Sequence, residues 1–206
     1  MSAFDLFSIG HSNIPAERFL ALLRAAGADA IADVRSATVS RFFPWFTDKK
    51  LSALLEREGM IYLAYGETLG GRPRNAKLYR DGAADYEAMA RMPEFAAGLD
   101  RLLSEAARRR VCLLCAEREP LDCHRCLLVG RALAARGATI GHILHDGSIE
   151  PHAATEQRSL AWAGEGEEGS ATGDLFETGL GDRLAAAYRR RARAVAYRPQ
   201  KNPKNR

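Results

Sequence analysis

The chain reads as a three-layer α/β protein, Rossmann-like in outline: a mostly parallel sheet of about five strands with helices on both faces. Two observations predict this. Short apolar runs alternate with longer stretches of helical periodicity from Phe4 to Leu144, and most runs end in a small polar cluster that opens a loop. A length of 206 residues at 47% hydrophobic content suits one domain with an ordinary core and leaves no room for a second of full size.

Phe4–Ile9 is the first strand, and it ends at Gly10-His11-Ser12-Asn13. Pro15 sits well in the first turn of a helix through about Ala26, with Phe19, Leu22 and Leu23 on one face and Gly27 as its stop. Ala28–Val34 is the second strand, ending at Asp33-Val34-Arg35. Residues 36–46 hold four aromatics and a proline, which suits an irregular loop packed over something. Thr47 caps a helix that presents Leu51, Leu54 and Leu55 and stops at Gly59. Met60–Ala64 is the third strand. It runs into Tyr65 and then Gly70-Gly71-Arg72-Pro73-Arg74, where adjacent glycines permit close backbone approach to a ligand.

A short helix over residues 83–92 precedes one opened by Pro93, whose Phe95, Leu99, Leu102, Leu103 and Ala106 form the stripe of a helix lying on a sheet. Val111–Cys115, a helix over Cys123–Arg136, and a fifth strand over Ala138–Leu144 complete the alternation. Gly164–Gly173 has too few apolar residues to build a core, and Leu184, Tyr188, Ala192 and Val195 then fall at helical spacing beside arginines. The expected organisation is a domain over 1–160, a Gly/Glu-rich linker over 161–181 and a basic helix or tail over 182–206.

Charge follows this division. Residues 183–206 carry nine Lys/Arg and no acid, so residues 1–182 hold 21 basic against 26 acidic groups, a balance of −5 beneath the overall +4. A basic terminal arm fits attraction to nucleic acid; a solvated tail fits the same composition. The amino terminus lacks a basic start and a long apolar run, which predicts a cytoplasmic protein with no membrane segment.

Chemistry concentrates in Val111–Arg125, VCLLCAEREPLDCHR, at one strand-to-helix junction. Two Cys-x2-Cys pairs suggest four thiolates for zinc, but Cys112 and Cys115 lie three apart in a strand and point to opposite faces. No metal site is therefore assigned, and Cys112 and Cys126 are read as small buried hydrophobes. Cys123 falls near a helix start beside His124 and Arg125, where unpaired amides and cations favour a thiolate or a bound phosphate; Cys115 at the strand end is its rival. A structural alternative is a Glu117–Arg125 ion pair that pins the turn around packed cysteines.

The order of Gly10-His11-Ser12, Asp33-Val34-Arg35, Tyr65 with Leu69-Gly70-Gly71, Cys115-Ala116-Glu117, Cys123-His124-Arg125, His142-Ile143 and Asp146-Gly147 resembles the DUF488 family over about residues 5–160. That resemblance implies a compact α/β domain with a polar cleft lined by these motifs, and no established reaction. The reading that follows is an enzyme acting on a phosphate-containing substrate, a nucleotide or a nucleic acid. Cys115 or Cys123 is its nucleophile, and His11 and Glu117 are its acid/base candidates. Arg35, Arg72 and Arg125 hold the anion, with Ser12, Asp33, Tyr65, Gly70, Gly71 and His124 in the binding wall. A noncatalytic nucleotide-binding module, and a thiol or metal protein using Cys115, Cys123 and a histidine, are the alternatives. No cofactor is named.

Overall fold

The computed structural model describes residues 3–164 and 179–199. In chain order its elements begin with β1 (Leu6–Gly10), α1 (Ala16–Ala25), β2 (Ala30–Asp33), α2 (Asp48–Arg57), β3 (Ile61–Ala64) and α3 (Gly66–Leu69). Then come a two-stranded ribbon of β4 (Tyr79–Arg80) and β5 (Ala83–Ala84), α4 (Tyr86–Ala90) and α5 (Pro93–Ala106). The last part holds β6 (Val111–Cys115), α6 (Arg131–Ala134), β7 (Ile140–Ile143), β8 (Ile149–Pro151), α7 (His152–Trp162) and α8 (Leu180–Val195).

The main sheet runs β3-β2-β6-β1-β7-β8, parallel except for the edge strand β8. It has six strands where five were expected; β8 is only three residues long, too short for a periodic signal. Each β6 residue chooses a face by the two-residue period of a strand. Val111, Leu113 and Cys115 join Phe95, Leu99 and Leu102 of α5 in one core layer. Cys112 and Leu114 join Phe19, Leu22 and Leu23 of α1 and Leu51 and Leu55 of α2 in the other. That is the three-layer architecture, and it separates Cys112 from Cys115 by the thickness of the sheet.

The expected helix over Cys123–Arg136 is less regular than its sequence suggests. Arg125–Gly130 forms a wide π-helical turn, in which the Arg131 N–H donates to the Cys126 carbonyl five residues back, and only Arg131–Ala134 is α-helical. Such widened turns occur often at functional sites. The Gly/Glu-rich stretch expected as a linker lies mostly outside the described residues. Beyond it α8 returns to the body. Tyr188 enters the main core, Ala187 packs with Leu160 and Ala163, and Arg191 donates to the Leu121 carbonyl at 3.0 Å.

Hydrogen bonding continues past the strand ends and fixes the loops of one edge against each other. His11 N donates to Cys115 O at 2.9 Å, Ser12 N to Ala116 O at 2.8 Å, Val34 N to Leu114 O at 3.1 Å and Tyr65 N to Asp33 O at 2.9 Å. The approach is closest at Gly10, where an added Cβ would lie 1.7 Å from the Glu117 carbonyl oxygen and 2.8 Å from the Arg125 guanidinium. Gly10→Ala is expected to cost about 3 kcal/mol or more, because a backbone carbonyl cannot yield as a side chain can. Gly181→Ala, near the start of α8 with nothing within 4 Å, should be neutral or stabilising by up to about 1 kcal/mol. Urea-unfolding midpoints of the two variants check this, and equal midpoints would contradict it.

Candidate functional site

Four strand ends meet at this edge and bring two polar networks side by side. In the first, the carboxylate of Asp33, at the end of β2, takes three bonds from Arg35, Nε to Oδ1 at 2.8 Å, backbone N to Oδ1 at 3.1 Å and Nη2 to Oδ2 at 2.6 Å, and a fourth from Tyr62 Oη at 2.7 Å. Arg35 Nη1 donates to the Phe46 carbonyl at 2.8 Å and contacts His11 Nε2 at 3.2 Å. His11 Nδ1 donates to Ser12 O at 2.9 Å, and its ring stacks on Phe46 at 4.1 Å. The aromatic loop thus packs over this pair. Burial first, then the Arg35 charge, hold His11 down at about 4, so it is neutral near pH 7 with both ring nitrogens engaged.

This network corrects two expectations. Arg35 borders the cleft described below, but it is only 4% exposed and its Nε and Nη2 are committed to Asp33, so the fork itself faces inward. His11 is a buried support for that arginine and does not line the cleft as an acid or base. Ser12 lies beside it with φ of 42°, a left-handed backbone outside the cleft wall. Tyr65 is 2% exposed and carries the Arg101 guanidinium over its ring at 4.1 Å, also away from the cleft.

The second network is a sulfur centre. Cys115 Sγ and Cys123 Sγ donate to one oxygen, Glu117 Oε2, at 2.9 and 3.0 Å. His124 Nδ1 lies 3.5 Å from Cys115 Sγ and 3.9 Å from Cys123 Sγ, while its Nε2–H donates to the Val34 carbonyl at 2.9 Å. That second bond turns Nδ1 toward the sulfurs. All four donor atoms lie within 4.8 Å of one another. Cys123 is extended, and its sulfur accepts the Arg125 N–H at 3.4 Å, capping the start of the wide turn.

Burial opposes ionising Cys123, yet the Cys115 hydrogen bond, the Arg125 guanidinium and His124 together hold it well below the ordinary thiol range. Burial and the neighbouring Cys123 push Cys115 well up, and burial with the same neighbour raises Glu117. Burial disfavours the charged His124 ring, but Cys123, Glu117 and the Val34 carbonyl outweigh it and raise its value. These directions favour negative charge on Cys123 over Cys115, beside the positive charge of Arg125.

Arg125 is fully buried and also departs from expectation. It makes no ion pair with the Glu117 carboxylate; its Nη1 and Nη2 donate to the Glu117 and Arg118 backbone carbonyls, and its Nε has no partner. It therefore pins the loop after β6 and supplies positive potential to the sulfurs, with no fork left for phosphate. The paired glycines are likewise filled from within the protein: a Cβ at Gly71 would lie 2.6 Å from the His124 ring, and one at Gly70 2.2 Å from Ser36 Oγ. Their smallness seats His124 and Ser36, and Ser36 Oγ accepts the Arg72 N–H at 3.0 Å.

A cleft of about 180 Å³ opens above the sulfur centre. Cys115, Glu117 and His124 form its floor, Gly71 and Arg72 one wall, and Tyr86, Val195 and Tyr197 another. Arg72 is exposed at the mouth, and among the described residues its guanidinium has only the Tyr197 ring, 4.7 Å away, as a partner. Ser36, Tyr86 and Tyr197 were not singled out from the sequence. Nothing in the sequence brings Tyr197 here, because it reaches the cleft through the packing of α8. A second buried group, Cys126 with His142 and His152, forms a chain from Ser8 Oγ through His142 and His152 to Tyr188 Oη and Glu156.

A family model described as "Domain of unknown function DUF488" matches residues 15–132, more than half of the chain. The match takes in Asp33 through Arg125 and leaves His11, Tyr188 and Tyr197 outside it. No curated protein and no solved structure matches the chain.

Acid weakens this fold by a definite route. Burial holds His11 and His152 at about 4 and His142 well below its ordinary value, so from about pH 6.5 downward the unfolded chain binds protons that the folded chain refuses. His124, Glu117 and Glu156, all raised, act with the opposite sign, but their shifts are smaller than those of the three lowered histidines. Stability is expected to fall from pH 7 to pH 5, by on the order of 1–2 kcal/mol for each of His11 and His152. A urea midpoint that is unchanged or higher at pH 5 would contradict this.

Proposed function

The chain belongs to the DUF488 family, and from that premise we propose that it is an enzyme acting on a small anionic molecule at the sulfur centre. The observation that carries this reading is the convergence of Cys115, Glu117 and His124 on the floor of one cleft, with Arg72 at its mouth. Reactive sulfur, a carboxyl group and an imidazole within hydrogen-bond reach are the parts of group transfer or hydrolysis. Arg72 keeps the anion-binding role first given to three arginines, and its planar fork suits a phosphate or carboxylate.

Size narrows the substrate. A cavity of about 150 Å³ holds one benzene ring, so the enclosed part of this open cleft suits a phosphate with a small organic group. A nucleotide would place its phosphate end inside and leave its base outside. No helix among the described residues is long and apolar enough to cross a membrane.

Inorganic phosphate is the probe for the anion site. Arg72→Ala is expected to weaken its binding roughly tenfold or more, the worth of a charged hydrogen bond, while Cys115→Ser abolishes turnover of small phosphate and carboxylate esters. Phosphate affinity that is equal in Arg72→Ala and the unsubstituted chain, by calorimetry, would remove the anion site from the account.

Nucleic acid enters this reading as a proposed partner through a separate surface. Arg80, Arg131, Arg189, Arg193 and Arg198 surround one cavity beside α8 with Asp81, Asp85 and Glu87; Arg80 pairs with Asp85 and both Arg131 and Arg189 with Glu87, so the five arginines exceed the three carboxylates by two charges. Phosphate contacts made by such a face depend on salt, each contributing about 0.9 to the logarithmic slope on duplex DNA. Arg193→Ala with Arg198→Ala should lower the slope by nearly 2, and an unchanged slope would exclude this face.

A further inference from the structure

Cys115, Cys123 and His124 present three donors of the kind that hold zinc in catalytic sites, two thiolate sulfurs and one imidazole nitrogen. In a tetrahedral zinc site the donor-to-donor edges are about 3.6 Å, given metal–ligand bonds of about 2.0–2.3 Å. The observed edges from His124 Nδ1 to the two sulfurs are 3.5 and 3.9 Å. Glu117 Oε2 lies nearer, at 2.9 and 3.0 Å from the sulfurs, and would need to draw back by about 0.6–0.7 Å to reach that edge, a movement its side-chain torsions can supply.

Three features around the donors point the same way, independently of the distances. The bond from His124 Nε2–H to the Val34 carbonyl is the outer contact that metal-binding histidines use to fix tautomer and ring orientation. Gly71 clears the space for that ring. Arg125, fully buried, has only carbonyl oxygens as partners and one nitrogen with none, so the centre beside it is where its counter-charge must sit. A divalent cation with two thiolates, one carboxylate and a neutral imidazole carries a net −1, which the +1 of Arg125 balances.

We propose that Cys115, Cys123 and His124 bind one thiophilic divalent cation of the zinc class, with Glu117 as an exchangeable fourth ligand facing the cleft. Binding forms two metal–sulfur bonds, one metal–nitrogen bond and one metal–oxygen bond in place of bonds to water, and releases to solvent the displaced waters and whatever protons remain on the two thiols, Nδ1 and the Glu117 carboxyl, without oxidation or reduction. Glu117 is an exposed residue on the loop after β6 whose carboxyl turns inward to the sulfurs, whereas the other three donors belong to buried residues. It is the ligand able to leave and open a coordination position to a substrate or water in the cleft. The inference deepens the proposed function and rests on it for the role of that open position.

The test is titration of chelator-stripped full-length protein with Co²⁺, read by absorbance, with zinc analysis of protein purified without chelator. One Co²⁺ per chain is expected, with thiolate charge-transfer absorption and the visible bands of a tetrahedral site. Cys115→Ser and Cys123→Ser should each lose about half of the charge-transfer intensity. His124→Gln should weaken binding by 10- to 100-fold or more, at least the loss known for outer-contact changes. Cys126→Ala, whose sulfur faces His152, should leave the spectrum unchanged. Absence of charge-transfer absorption at millimolar Co²⁺, or equal spectra in both serine variants and the unsubstituted chain, overturns the inference. If that occurs while Cys115→Ser still abolishes turnover, the metal is wrong and the enzyme reading stands. A bound metal in a chain that turns over no ester at all leaves the metal site and removes the enzyme reading.

Discussion

Everything at this site depends on the Arg125 guanidinium, which reaches under the loop after β6 and holds the Glu117 and Arg118 carbonyls. A fully buried cation is costly unless its donors are met and a negative charge lies close. Here the carbonyls meet two nitrogens, and the Cys115–Cys123 centre supplies the opposite charge. The requirement runs outward from there. Gly10 must lack a side chain so that β1 can pass against the same carbonyl, and Cys123 must stay extended so that its sulfur caps the turn that carries Arg125. One residue thereby couples the packing of the sheet edge to the ionisation of the sulfurs.

The two polar networks differ in how far they satisfy themselves. Asp33, Arg35, Tyr62 and His11 satisfy each other and the Phe46 carbonyl, leaving little to offer a ligand. The sulfur centre is the reverse: two thiols share one carboxylate oxygen, and every group there shifts the ionisation of its neighbours. Crowding of titratable groups beside a cleft is the feature that supports the proposed function. The C-terminal segment then adds what the matched span lacks, since Tyr197 and Val195 close the cleft from outside residues 15–132.

The alternation of strands and helices was legible because each run of β1, β2 and β6 is apolar on both faces, as a parallel strand covered on both sides must be. The same two-residue period placed Cys112 away from Cys115 and excluded a four-cysteine zinc site. β8 and the wide turn at Arg125–Gly130 were not legible. The first is too short to show a period, and the second has the composition of an ordinary helix. The cysteines, Glu117 and His124 were identified as chemistry-bearing, but the partners of the arginines were not. Whether Arg35 faces a ligand or Asp33 depends on side-chain direction, which motif order does not encode. Tyr197 was invisible for a different reason: its place in the cleft follows from how α8 docks on the body through its own Tyr188, a long-range contact without a local signature.

The central claim is that Cys115, Cys123, His124 and Glu117 form one centre built to hold a single ligand atom between them. Anomalous X-ray diffraction at the zinc edge, from crystals grown with equimolar Zn²⁺, tests it most directly. The account predicts one anomalous peak within about 2.3 Å of both sulfurs and about 2.1 Å of His124 Nδ1. Well-ordered density for the four side chains with no peak between them, or a disulfide joining Cys115 to Cys123 in the same crystals, would contradict it.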